Sequence, residues 1–250
     1  MAFLVFLIGL CCGSFVNMLL YRTAIDYKLE SPVRRRRTPP LSRGIKDRSV
    51  CDFCGRQLKW QDNIPVVSWF MLKGKSSCCG KKLPTTYPLV ELLTGILFLI
   101  NFYVNNNIFF YPVLVFLVFS AFFDLKWMIL PDFSTALLLL LGLFLSVNIW
   151  SAVFSLIFLL FLYLITKGKG MGFGDVKYAL FLGLILGVPK MIVAYYVAFI
   201  VGALTGLIMM LLKKKKFRSE IPFGPFLILG TIVAWWWGEN LWYYVLSWQR

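Results

Sequence analysis

Met171-Gly172-Phe173-Gly174-Asp175-Val176-Lys177 stands at the junction of two long apolar runs, residues 150–166 and 175–188. A charge at the edge of hydrocarbon is costly, so a carboxylate held there marks a functional site by default. The glycines beside it let backbone and substrate approach closely. Working outward, further apolar runs fall near residues 2–20, 88–103, 108–123, 133–148, 190–212 and 223–237. With hydrophobic residues at 60 % of 250, this pattern predicts an all-α, polytopic membrane bundle of about eight transmembrane helices.

The net charge of +15 sits mainly in the loops. In a membrane protein such clusters mark cytoplasmic loops facing anionic lipid, so the partner read from charge is the bilayer rather than nucleic acid. Arg22 to Lys82 carries 15 Lys/Arg against 5 Asp/Glu, which makes this long loop cytoplasmic. Alternating the spans puts Asp124-Leu125-Lys126, Lys167-Gly168-Lys169 and Lys213 to Arg218 on the same side, and Asn105-Asn106-Asn107 on the other. The expected division is a first transmembrane helix (1–21), a basic, cysteine-containing cytoplasmic loop domain (22–87) and a membrane bundle (88–250). Residues 1–20 have no charge before them and no small-residue cleavage site, and read as a retained helix. Arg34 to Arg37 reads as a lipid-facing surface arm, Trp235 to Trp237 as an interface belt, and Glu239 to Trp248 as an outer interfacial tail.

The chain has no histidine, which excludes Ser-His-Asp and Cys-His catalysis and zincin-type metal sites. The carboxylates in or beside the spans are Glu91, Asp124, Asp132, Asp175, Glu220 and Glu239. Asp124 ends one span and Asp175 begins another, at the same expected boundary. Two carboxylates brought close do not both ionise readily, so one activates water and the other, protonated, polarises a carbonyl. On position alone, catalysis and helix capping both fit this pair. Asp132 follows Pro131 and is expected to cap the next helix.

Gly172-Phe173-Gly174-Asp175 resembles the GxGD signature of membrane aspartic proteases. Phe123 to Asp132, reading FDLKWMILPD, is similar to the partner motif of bacterial prepilin peptidases, and Gly13 to Arg22 to that family's N-terminal helix. Cys51-Asp52-Phe53-Cys54, Asp62 to Trp69 and Tyr87 to Gly95 resemble its cytoplasmic domain and second span. The matches keep the family's order from about residue 10 to about 180. The resemblance implies an enzyme that removes the short basic leader of type IV prepilins and pseudopilins at the cytoplasmic face of the inner membrane. It also implies methylation of the new N-terminus by S-adenosylmethionine. Carried over, the catalytic residues are Asp124 and Asp175, supported by Gly172, Gly174, Asp132 and Lys177, with no cofactor for proteolysis.

The family has two CxxC pairs, whose four thiolates form a tetrahedral structural zinc site. Here Cys51 and Cys54 fit, while the second pair reads Ser76-Ser77-Cys78-Cys79. The resemblance then implies Cys51, Cys54, Cys78 and Cys79 as metal ligands; an apo or disulfide-prone loop is the other reading, and cytoplasmic placement argues against a disulfide. Glu91 lies in the motif linked to methylation and equally fits a buried polar contact in the second span, and Thr86 stands where the family often has arginine. Other readings are a proton- or ion-coupled transporter using Asp124 and Asp175, a pre-archaellin- or presenilin-like protease without methylation, and a scaffold around a zinc loop. A transporter is expected to place its acids near mid-membrane, and the scaffold leaves Gly172–Asp175 unexplained.

Overall fold

The computed structural model describes residues 1–29, 51, 53–54, 56–168, 170–212 and 222–247, with side chains to residue 244. The Arg34–Arg37 arm, Lys169, Lys213 to Arg218 and Trp248 lie outside the described residues. The regular elements are helical: α1 (Ala2–Asp26), a 3-10 turn (Trp60–Asn63), α2 (Val67–Met71), α3 (Thr86–Val104), α4 (Phe110–Trp127), α5 (Asp132–Gly142), α6 (Ile149–Ile165), α7 (Phe173–Leu211) and α8 (Gly224–Ser247). Four of them, α1, α3, α4 and α7, are long and apolar enough to cross a membrane, and α5 and α6 are shorter apolar helices.

At 39 residues α7 holds two of the expected spans. It breaks at Gly187, whose φ of 73° and ψ of 172° leave the helical region, with Pro189 just beyond. With that break, α1, α3, α4, α5, α6, α8 and the two halves of α7 make eight apolar helical segments among the described residues.

The chain divides into two compact units, residues 1–102 and 103–250. In the first, α1 approaches α3 through Gly9 and Gly13. A Cβ on Gly13 would stand 2.5 Å from the Glu91 Cα, and one on Gly9 2.8 Å from the Gly95 Cα. This small-xxx-small contact lets membrane helices meet backbone to backbone, where lipid supplies no hydrophobic drive. Asn17 on α1 donates to the Tyr87 carbonyl at 3.0 Å and fixes the register.

In the second unit α7 packs on α6 and α8, and α4 on α5 and α8. More than half of the most apolar stretch of α4 is buried, more than in any other long span, which makes it the centre of this bundle. Side-chain bonds tie the helices together: Tyr178 donates to Thr231 at 3.0 Å between α7 and α8, and Ser155 of α6 bonds both the Ala179 carbonyl and the Tyr195 hydroxyl. Such bonds average about 0.6 kcal/mol each in a membrane, so they fix register more than they add stability.

Two expectations about α8 are corrected. The helix runs on through Ser247, so residues from Glu239 do not form a separate tail, and Glu239 instead meets Lys190 of α7 at 2.8 Å. The tryptophan cluster is not outward-facing throughout: Trp237 is exposed, whereas its neighbours turn inward. Trp235 stacks on Phe110 with ring centroids 4.6 Å apart and Trp236 is buried, so these rings seal α8 against the start of α4. Apolar rings serve a core or a lipid face equally well, and composition does not separate the two.

Candidate active site

Asp124 lies in the last turn of α4. That helix stops because Met128 takes a left-handed conformation, φ 56°, and returns its N–H to the Asp124 carbonyl at 2.8 Å. Pro131 follows; it forces an extended approach and begins α5, so the chain turns back within a few residues of the carboxylate. Ser134 of α5 holds this turn by bonding the Pro131 carbonyl at 2.8 Å and accepting from Ser120 of α4 at 3.1 Å.

Asp175 stands in the first turn of α7. Its Oδ2 accepts the Gly172 N–H at 3.1 Å, which completes the helix start. Both carboxylates are buried, Asp124 at 5 % and Asp175 at 4 % exposure, and they lie close enough for their charges to interact. The capping reading of Asp175 therefore holds for one oxygen, and the same side chain also lies within charge range of a second acid. Capping alone does not require that second acid.

Gly224, the first residue of α8, was not legible as a site residue. Its N–H donates to the Asp124 carboxylate. A Cβ there would stand 2.6 Å from Asp124 Oδ2 and 3.3 Å from Leu130 Cδ1. Leu130 also fills the space above Gly174, where a Cβ would stand 3.0 Å from its own Cβ. Gly172 is less confined, with its nearest neighbour 3.9 Å from an added Cβ. The available signal was Phe223-Gly224-Pro225, a glycine between an aromatic ring and proline at a span start. Asp132 does not act as the expected cap. The flanking cap position is Pro131, and the Asp132 carboxylate instead takes Lys177 Nζ at 2.7 Å, pinning the start of α5 to the first turns of α7. Lys177 also lies over the Phe173 ring, 5.4 Å from its centroid.

The remaining candidates belong to the first unit. Glu91 is buried, accepts the Val66 N–H at 2.7 Å and lies 3.5 Å from Asn17 Nδ2. Cys51, Cys54, Cys78 and Cys79 bring their sulfurs within 4.8 Å of one another. Cys51 to Cys79 is 3.8 Å and Cys54 to Cys78 is 3.1 Å. Zn–S bonds of ~2.3 Å in a tetrahedron place sulfurs roughly 3.8 Å apart, so the four thiols fit a metal despite the adjacent Cys78-Cys79 pair. Ser76 fills the gap in the second pair. Its hydroxyl lies 3.2 Å from Cys51 Sγ and 3.3 Å from Cys78 Sγ. Burial alone would raise the Cys51 thiol, but the Ser76 hydroxyl and the Phe53 and Cys54 backbone outweigh it and bring it down to about 6.

Residues 7–105 match the family profile described as Bacterial Peptidase A24 N-terminal domain, and residues 108–207 match that of the Type IV leader peptidase family. The prepilin leader peptidase/N-methyltransferase of Aeromonas hydrophila is 32 % identical over 96 % of this chain and 92 % of its own. Its namesake from Xanthomonas campestris pv. campestris is 34 % identical over 94 % and 90 %. One from Bacillus subtilis is 29 % identical over 95 % of both chains. No solved structure matches.

Proposed function

Because the chain belongs to the prepilin leader peptidase/N-methyltransferase family, a family of enzymes, we propose that it removes the basic leader from a prepilin or pseudopilin and then methylates the new N-terminus. It is a multi-pass membrane protein. The observation that carries the reading is the pair of buried, mutually interacting carboxylates, Asp124 and Asp175, at the ends of two membrane helices.

The pair works as a unit holding one proton. The ionised carboxylate takes a proton from water, whose oxygen attacks the scissile carbonyl carbon. The protonated one donates to the carbonyl oxygen as it gains charge. Collapse of the tetrahedral intermediate breaks the C–N bond, and a proton passes to the leaving amine. Gly172 and Gly224 each give a backbone N–H to one aspartate, so the acids are oriented before substrate arrives. Asp132 and Lys177 hold the two helix starts together.

Lys126 and Lys167 flank the same end of the bundle, which by the charge rule faces the cytoplasm of a bacterial inner membrane. Cys51, Cys54, Cys78 and Cys79 would hold a structural zinc ion, which supplies a cross-link to an insertion with little core of its own. S-adenosylmethionine would supply the methyl group, and Glu91 lies in the motif that the family resemblance links to that step.

The test is mass spectrometry of a prepilin N-terminus after incubation with the purified protein, with and without S-adenosylmethionine. The expected product lacks the leader in both cases and carries one added methyl group only with the donor. An uncut substrate under conditions where a characterised relative cuts it would overturn the reading.

A further inference from the structure

The cysteine-containing insertion exposes large apolar side chains that its own packing leaves uncovered. Trp60 is 75 % exposed, Phe70 61 % and Met71 78 %, and Ile64 and Val67 are exposed beside them. Val67 and Phe70/Met71 recur at intervals of three and four, so they share one face of the α2 turn, and exposed Ile64 lies just before it in the chain. Around them stand exposed Lys59, Lys73 and Lys75. In water this patch would invite aggregation.

The hydrogen bond from Val66 to Glu91 says what covers it. α3 has 19 residues, which rise ~28 Å, close to the ~30 Å of a hydrocarbon core. A span with no length to spare is immersed from end to end. Glu91 stands five residues after Thr86, about 7.5 Å along the helix. Helical side chains lean toward the N-terminus, so its carboxylate reaches back toward the nearer surface. Val66, held to that carboxylate at 2.7 Å, therefore lies between the bilayer surface and that depth, and α2 begins at the next residue. Val66 is itself a backbone outlier, φ 62° and ψ −51°, a conformation that a β-branched residue adopts only under constraint. The strain turns the chain so that α2 starts beside α3.

We propose that the Trp60–Met71 segment is a membrane-interface anchor: its apolar face enters the headgroup–acyl boundary of an anionic bilayer beside α3, and Lys59, Lys73 and Lys75 meet the lipid phosphates. Amphipathic interfacial segments bind by this division, with apolar rings below and lysines above. The anchor is independent of the peptidase reading, since it rests on Glu91, Val66 and the exposed face alone. It makes the cysteine loop lie on the membrane instead of hanging from it.

The full chain would be placed in nanodiscs containing phosphatidylglycerol, with the photocrosslinking residue p-benzoylphenylalanine at position 70 or, as a control, at exposed position 77. The expected result is a lipid adduct at 70 and its loss at 77. Adducts at 70 only to protein, either a second copy or the prepilin, would overturn the proposal, as would no lipid adduct at all. The unmodified chain gives a second readout that needs no variant. In nanodiscs, hydroxyl-radical oxidation of Met71 should be as slow as that of Met210, which lies on the spanning helix α7. Oxidation of Met71 at the rate of a water-exposed methionine sinks the anchor, whatever the variants do.

Discussion

The aspartate site and the cysteine cluster solve one problem in opposite ways. Each gathers groups that repel one another when ionised. The aspartates are held by the bundle: two helix ends, two backbone N–H donors, and two glycines, Gly174 and Gly224, where a Cβ would crowd its neighbours. The cysteines are held by a short loop with one hydroxyl between them, and their cohesion is what a metal would provide. The first site is ordered by packing. The second is a set of candidate ligands, and its order would follow what it binds. Damage to one should therefore leave the other standing.

The hardest test of that separation is the acids themselves. Asp124→Asn or Asp175→Asn should reduce leader cleavage by about 10²–10⁴-fold or more, the usual worth of an acid–base group. Each amide keeps an oxygen for its backbone N–H, so the bundle should still insert and metal content should not change. Cleavage by either purified variant at the wild-type rate would end the dyad reading. Gly224→Ala comes next. The new methyl would stand 2.6 Å from Asp124 Oδ2, too close for both to stay in place, and displacement of a reacting group by ~1 Å costs about 10²-fold. The kinetic assay should show lower kcat with KM little changed. An alanine enzyme of normal kcat would mean that Asp124 does not depend on that close approach.

The two regions also differed in how far the sequence exposed them. Asp124 and Asp175 were legible because each interrupts an apolar run, and the glycines before Asp175 form a motif. The cysteine cluster was legible from Cys51-x-x-Cys54 and the family resemblance, although Cys78-Cys79 broke the second CxxC that the resemblance implies. Gly224 was not, because it acts through its backbone and by lacking a side chain. Asp132 was read as a local cap because its partner, Lys177, lies 45 residues away in sequence. The apolar helical segments were countable from hydropathy, yet Gly187, where α7 breaks, sits inside what read as one apolar run up to residue 188. Val66 gave no signal either, since its strain follows from a hydrogen bond to another helix.

On the cysteine side, Cys51→Ser with Cys54→Ser should abolish bound zinc, measured by elemental analysis, and should remove N-terminal methylation. Leader cleavage should stay within a few-fold of normal. Equal loss of cleavage and methylation would break the comparison, because the aspartate bundle would then depend on the loop. Ser76 sharpens the same point. Ser76→Ala keeps all four sulfurs but removes the hydroxyl between Cys51 and Cys78, so metal affinity should fall while its stoichiometry holds. Partners outside the coordination sphere typically contribute about 10–100-fold in metal affinity, which competition with a chelator resolves.

The smallest expected effect is at the Asp132–Lys177 pair. Both side chains are well exposed, so their 2.7 Å contact is screened and is worth roughly 0.2–1 kcal/mol. Lys177→Met should therefore slow cleavage only a few-fold, and raised salt should slow the wild type toward the variant while leaving the variant unchanged. Lysine here has two partners, the Asp132 carboxylate and the Phe173 ring, and the substitutions separate them. Lys177→Arg keeps both and should restore the wild-type rate, whereas Asp132→Asn keeps only the ring contact and should match Lys177→Met if the ion pair is what aligns α5 with α7. A loss at either position as large as that of Asp175→Asn would place Lys177 or Asp132 among the reacting groups instead of beside them.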